Sequence, residues 1–265
     1  MKSLINLLWL PIFLCPIHVC ADSLDQLHEK VYKNMSSNNI SDKGSNDVEF
    51  FISHPSLESF NKLEESARMG SASAQYTLGL EYLKEKSLWV KYNSSAALFW
   101  FKKAEVGGEV WAKMQIGFMY LTGLGVPQDY KKALKILEDA SKDGSPRAKY
   151  YLARMYLSAQ GVDLDAQKGL NYLIDAANLG DSDAIGDLGL LYENGSIVQR
   201  SFVNAYGLYN LSLAIRYSKI NPSYQRREKI IKILSKDDIL RGQELTTKLS
   251  TLSRFRELVD QNDLK

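Results

Sequence analysis

The 265-residue sequence predicts an all-α fold, a right-handed superhelical solenoid of antiparallel helix pairs. Three observations lead there. Ala112, Ala148 and Ala184 stand 36 residues apart, and Ala74 precedes the first of them by 38. Each alanine is followed four residues on by an aliphatic (Leu78, Ile116, Leu152, Leu188) and eight residues on by a tyrosine (Tyr82, Tyr120, Tyr156, Tyr192). Later in each period come two small residues seven apart: Ala97/Ala104, Ala133/Ala140, Gly169/Ala176 and Ala205/Ser212. A fixed period of about 20 to 50 residues with helical spacing inside it marks a stack of helical repeats.

The chain opens on a predicted signal peptide, residues 1–21. Lys2 supplies its positive charge, Leu4 to Val19 its apolar run, and Val19-Cys20-Ala21 a cleavage site before Asp22. Two alternatives are a lipid-modified Cys20 and an uncleaved anchor. His18 and Val19 are poor neighbours for the first, and Pro11 and Pro16 interrupt the run that the second needs. Both cysteines, Cys15 and Cys20, lie in this segment, so the processed chain gains nothing from disulfides. Residues 22–50 read as a short helix, Leu24–Tyr32, and a polar linker over 34–48. Residues 51–73 read as a capping half-repeat, in which Leu57, Phe60, Leu63 and Ala67, ending at Gly70, mark the second helix of a unit whose first half is missing.

Residues 74–216 hold four repeats. The i, i+4, i+8 spacing puts alanine, aliphatic and tyrosine on one helical stripe, and the position after the aliphatic stays small: Gly79, Gly117, Ala153, Gly189. In the second helix, bulky pairs sit between the small residues: Phe99/Trp100, Ile136/Leu137, Tyr172/Leu173, Leu208/Tyr209. Small residues two turns apart let two helix backbones approach, and the bulky ones fill the space beside them. Gly107, Gly144 and Gly180 are predicted to end these helices in the left-handed conformation. Between the helices, Gly123-Leu124-Gly125-Val126-Pro127-Gln128-Asp129 and Gly161-Val162-Asp163-Leu164-Asp165 supply a glycine turn and a capping aspartate.

The pattern A-x3-L-G-x2-Y-x2-G-x-G-V-x2-D-x3-A-x6-A-x3-G, nearly complete over Ala112–Gly144, resembles the Sel-one-like repeat, a relative of tetratricopeptide repeats. The first copy departs from it, since Lys84 to Lys91 lacks the glycines; the fourth retains only Gly195. The resemblance implies a tetratricopeptide-like solenoid that binds other proteins. Residues 217–265 read as a basic helical cap, in which Ser235-Lys236-Asp237-Asp238 starts an amphipathic helix, Ile239–Leu252.

Catalysis is not predicted. After the signal peptide the histidines are His28 and His54 alone, without metal-ligand spacing, and no cysteine remains; neither a metal nor a cofactor is implied. Ser59-Phe60-Asn61-Lys62 has the serine-to-lysine spacing of penicillin-binding enzymes, but its position on the capping helix favours a solvated face. The net charge of +2 is too small to argue for nucleic acid. Charge is uneven, however. Residues 22–67 carry nine acidic and four basic groups, and residues 216–256 eleven basic and four acidic, which leaves weak head-to-tail self-association open.

A binding surface is predicted on the first helix of each pair, at the positions three and six after the repeat alanine. These are Thr77, Gln115, Tyr151 and Asp187, and Leu80, Phe118, Arg154 and Leu190. A solvated face should be polar, so Leu80, Phe118, Tyr151 and Leu190 suggest an apolar strip with Arg154 as its polar anchor, or else packing between neighbouring units. Trp89, Tyr92 and Trp111 are secondary candidates. The reading is of a periplasmic adaptor that holds a partner protein. The alternative is an immunity protein that neutralises a periplasm-acting toxin such as a phospholipase, and secretion is the second choice of location.

Overall fold

The computed structural model describes residues 44–252 and 255–260, so the signal peptide, the Leu24–Tyr32 helix and most of the predicted linker lie outside the described residues. All regular structure among the described residues is helical. The chain divides into two compact units, Met1–Ser145 and Pro146–Lys265.

The first unit contains α1 (Ser45–Ser53), α2 (Leu57–Arg68), α3 (Ala72–Leu83), α4 (Ser94–Val106), α5 (Val110–Thr122) and α6 (Tyr130–Lys142). Its strongest packing is α3 on α4 and α5 on α6, the predicted helix pairs, with α4 joining one pair to the next through α5. The stripe residues Ala74, Leu78, Ala112 and Ile116 are buried, as are the small residues Ala97, Ala104, Ala133 and Ala140 of the second helices. Where the backbones come together there is no room for a side chain. A methyl group on Gly117 would lie 2.8 Å from two carbons of Leu137.

The two turns of this unit differ in sequence and reach the same result. The N–H of Asn93 donates to the carbonyl of Tyr82 at 2.9 Å, and that of Asp129 to the carbonyl of Tyr120 at 2.9 Å. Each donor residue then caps the second helix, Asn93 accepting from Ala96 N and Asp129 from Lys132 N. In the turn without glycines, Glu81 is buried, pairs with Lys84 at 2.7 Å and accepts from Ser87 Oγ, which in turn accepts from Trp89 N.

The start of the unit departs from the sequence reading. The half-repeat has a first helix after all, because α1 begins inside the predicted linker. Its Val48 and Phe51 join Phe60, Leu63, Ala67, Ala74 and Leu78 in one core cluster. Leu57, the first residue of α2, is 64% exposed. Gly107 closes α4 with φ −76°, and it is Gly108, at φ +88°, that adopts the left-handed conformation. Trp89 is not an exposed loop residue, for its indole stacks on Phe60 at 5.9 Å and covers the cluster's edge.

The second unit contains α7 (Pro146–Leu157), α8 (Ala166–Asn178), α9 (Ser182–Asn194), α10 (Phe202–Ile215), α11 (Pro222–Ile230), α12 (Lys236–Leu252) and α13 (Phe255–Asp260). Pairs α7/α8 and α9/α10 repeat the same rules. Asp165 N donates to Tyr156 O at 3.1 Å, Ser201 N to Tyr192 O at 3.0 Å, and both residues cap the following helix. In the α7/α8 pair the smallest residue changes sides. Ala153 replaces the glycine on the first helix, and Gly169 on the second takes the tight contact, with 2.6 Å between an added methyl and Leu157 Cγ.

Among the described residues the basic end forms a cap of three helices. α12 packs along α10 at a glycine crossing where Thr246 Oγ1 donates to Gly207 O at 3.0 Å. Ser235 and Asp238 form the predicted reciprocal cap of α12: Ser235 Oγ accepts from Asp238 N, and Asp238 accepts from Ser235 Oγ at 2.7 Å. A further short helix, α13, follows the one predicted to be last. Its Phe255 and Val259 are buried, and Tyr192 Oη donates to Leu258 O at 3.0 Å.

Candidate partner-binding face

The positions chosen from the sequence divide into two groups. Thr77, Leu80, Gln115 and Leu190 are buried, with Leu80 at 0% exposure and Leu190 at 6%. These four are packing residues, and no free apolar strip runs through them. Phe118, Tyr151, Arg154 and Asp187 are half-buried and form the accessible part of the predicted set. Of the secondary candidates, Tyr92 is exposed, Trp111 half-buried and Trp89 committed to the core cluster.

In the first unit the remaining candidate is Phe118 on α5. In the second unit, three of the four, Tyr151, Arg154 and Asp187, fall in a network that the sequence reading only partly anticipated. Its other members are Arg147, Tyr150, Asp181, Asp183 and Arg216. Arg147 stands one residue before the repeat alanine on α7, and Asp183 occupies the same position on α9. The Arg147 guanidinium bridges two carboxylates: Nε lies 3.1 Å from Asp181, and Nη1 pairs with Asp183. Arg216, just after α10, reaches the same Asp183 oxygen at 3.3 Å. Asp181 also caps α9, accepting from the backbone N–H of Asp183 and of Ala184 at 3.0 Å each.

Tyr150 lies between two guanidinium groups, with Arg147 5.2 Å and Arg154 5.7 Å from its ring centre. Asp187 and Arg154 are the charged groups that act most strongly on its hydroxyl. Burial pushes the phenol well above its usual range, with Asp187 acting in the same sense.

Asp183 and Asp187 are one turn apart on α9 and respond in opposite directions. Burial raises both. At Asp183 the guanidiniums of Arg147 and Arg216 outweigh it and hold the carboxyl down at about 2. At Asp187 burial prevails over Arg154 and the Tyr150 hydroxyl, with Asp183 adding to it, and the carboxyl rises to about 6. Three arginines thus face three aspartates, one of them near its titration point at neutral pH.

This set can bind but has no nucleophile–base pair. Among the described residues no group of His, Cys, Asp and Glu is arranged to hold a metal ion, and no helix is long and apolar enough to cross a membrane. The Ser59–Lys62 spacing serves the fold: Ser59 Oγ, fully buried, accepts from Ser56 N at 2.9 Å and donates to His54 O at 2.7 Å, while Lys62 pairs with Glu58 on the surface.

The repeat boundaries settle the family. A sequence profile of the Sel1 repeat matches residues 72–105, 112–145, 146–181 and 182–214, one match for each of the pairs α3/α4, α5/α6, α7/α8 and α9/α10. The chain belongs to the Sel1 repeat family. Among solved structures, this Sel1 repeat protein is similar to a protective antigen of uropathogenic Escherichia coli with an SLR fold. Identity there is 26% and the TM-score 0.59, over 72% of this chain and 40% of the antigen, so the likeness spans well under half of that protein. It is also similar to a Sel1 repeat protein from Oxalobacter formigenes, at 25% identity and TM-score 0.58, over 71% of this chain and 76% of the other. An immunity protein from Pseudomonas aeruginosa matches at 17% identity and TM-score 0.47, over 86% and 83% of the two chains, too remote to bear on function. Comparison with curated proteins gives no match.

Proposed function

We propose that this Sel1 repeat protein is an exported adaptor, acting in the periplasm, that binds a partner protein through the first-helix face of its repeats. The observation that carries the reading is the Tyr151–Arg154–Asp187 patch on α7 and α9. An aromatic ring, a guanidinium and a carboxylate are half-buried there, with the Tyr150 ring 5.6 Å from that of Tyr151 and 5.7 Å from the Arg154 guanidinium. Tyrosine and arginine dominate the energetics of protein interfaces, because each combines a large contact area with fixed hydrogen-bonding geometry. Second-layer pairing of this kind fixes the rotamers in advance and lowers the entropy cost of binding. Export is supported by the Lys2-led apolar run to Val19 and by the restriction of cysteine to positions 15 and 20. The partner is a protein segment with both charged and apolar groups, with Arg154 as the polar anchor and Asp187 beside it.

The test is recovery of a partner by co-purification from intact cells after crosslinking. Tyr151→Glu and Arg154→Glu should each lower recovery at least about tenfold, the loss of one interface hot spot, while the helical circular dichroism stays unchanged. Full recovery by both variants would refute the role of this face.

A further inference from the structure

The corner formed by the end of α11 and the start of α12, with the stretch from Arg216 that leads into α11, sorts its cations by type. Every arginine there has an internal acidic partner: Arg216 with Asp183, Arg226 with Glu193 at 3.2 Å, Arg227 with Glu228 at 2.8 Å, and Arg241 with Asp238. The lysines have none among the described residues. Lys219, Lys229, Lys232 and Lys236 are all exposed; of the nearby acids, Glu228 and Asp238 are engaged by arginine, and exposed Asp237 leaves the four lysines a net excess of three positive charges.

Large apolar side chains stand among these lysines. Ile233 is 65% exposed, Leu240 56% and Ile220 51%, although Ile230 beside them is buried. Lys229, Lys232, Ile233, Lys236 and Leu240 follow one another at intervals of one to four residues from the last turn of α11 into the second turn of α12. Exposed lysines are well hydrated, and it is the aliphatics among them that gain by leaving water.

We propose that this corner docks on an anionic phospholipid surface. Lysine ammoniums are compact charges that satisfy phosphate headgroups without the fixed fork that arginine needs. Ile220, Ile233 and Leu240 find hydrocarbon just beneath those headgroups, where an aqueous partner would need a matching groove. Each unneutralised lysine near such a surface contributes about fivefold to partitioning, so three together contribute about a hundredfold. The acidic residues of α1 and α2 make a second copy of the chain the competing occupant, and the experiment separates the two.

The experiment is co-sedimentation with vesicles of phosphatidylcholine alone and of phosphatidylcholine with about one-third phosphatidylglycerol. It uses the full chain and the chain starting at Asp22, which controls for the apolar run before Val19. Binding is expected only with phosphatidylglycerol, and it should fall as salt is raised. Lys229→Glu, Lys232→Glu and Lys236→Glu combined should lower partitioning about a hundredfold in both backgrounds. Ile233→Ser with Leu240→Ser, which leaves every charge in place, should lower it about tenfold. Far-UV circular dichroism verifies the fold of each variant. The proposal is overturned if the parent ignores phosphatidylglycerol vesicles or the folded lysine variant sediments like the parent. A low-salt dimer that the lysine changes dissolve, without vesicle binding, would assign the corner to copy-to-copy contact instead.

Discussion

Arg147 and Asp183 occupy the same register position in consecutive repeats, one residue before Ala148 and Ala184, and their side chains pair. A periodic sequence thereby uses its variable positions to join neighbouring copies, with opposite charges where the repeat pattern requires nothing. The Arg147 side chain is 11% exposed, and its two partners Asp183 and Asp181 are 26% and 4% exposed. Arg147→Ala should destabilise the protein by about 2 kcal/mol, below the range for a fully buried pair because Arg216 still reaches Asp183. Arg147→Lys should recover less than half of that, because one ammonium cannot reach both carboxylates as the guanidinium fork does. Urea unfolding followed by circular dichroism measures both.

Asp183 and Asp187 give stability opposite pH dependences. Asp187 has its carboxyl raised to about 6 from a model-compound 3.8, so the folded state takes up a proton that the unfolded state lacks, and stability rises as pH falls from above 6 towards 4. Asp183, held at about 2, contributes stability that is complete above 4 and is lost as pH falls from 4 towards 2. The expected profile has a maximum between those windows. Asp187→Asn should abolish the rise on its alkaline side and leave the acid loss intact. Carboxyl carbon shifts followed by NMR through the same range should report the two titrations directly.

Ala159 has φ +54° in the turn after α7, a left-handed conformation that costs a residue with a Cβ about 1 kcal/mol. The repeat aligns it with Gly123 and Gly195, both also at positive φ. Ala159→Gly should therefore stabilise the protein by about 0.5 kcal/mol, the gain being reduced by the extra freedom of glycine in the unfolded chain. A shift of the urea midpoint to higher concentration is the readout, and a shift the other way would mean the turn is not under this strain.

Gly117→Ala should destabilise by about 2 kcal/mol, because the added methyl meets the branched end of Leu137 in a packed interior. The third copy holds alanine at the equivalent Ala153 and places glycine at 169 on the facing helix. Adding Ala133→Gly to Gly117→Ala copies that exchange and should return part of the loss, a favourable coupling visible in a double-mutant cycle.

The helix pairs were legible because their determinants are local and repeated. Alanine, aliphatic and tyrosine fall on one stripe four times, and the capping residues Asp129 and Asp165 announce their helices. Helix α1 was missed because its apolar residues, Val48 to Ile52, follow a polar stretch that supplies no side-chain cap. The binding face was legible only in part. Periodicity separates the buried stripe from the rest of a helix, but it does not say which of the remaining positions a neighbouring helix covers. Leu80 and Leu190 were covered, and Tyr151 was not. The network behind Tyr151 had one available signal, the opposite charges of Arg147 and Asp183 at equivalent positions. That signal appears only when the repeats are compared by charge as well as by apolarity.

Site-specific photocrosslinking in intact cells tests the binding face most directly. A photoreactive residue at Tyr151 on α7 should capture a discrete protein, the same residue at exposed Gln167 on α8 should not, and Arg154→Glu should abolish capture from position 151. Equal capture from both positions, or capture that is indifferent to Arg154→Glu, would contradict recognition through this face.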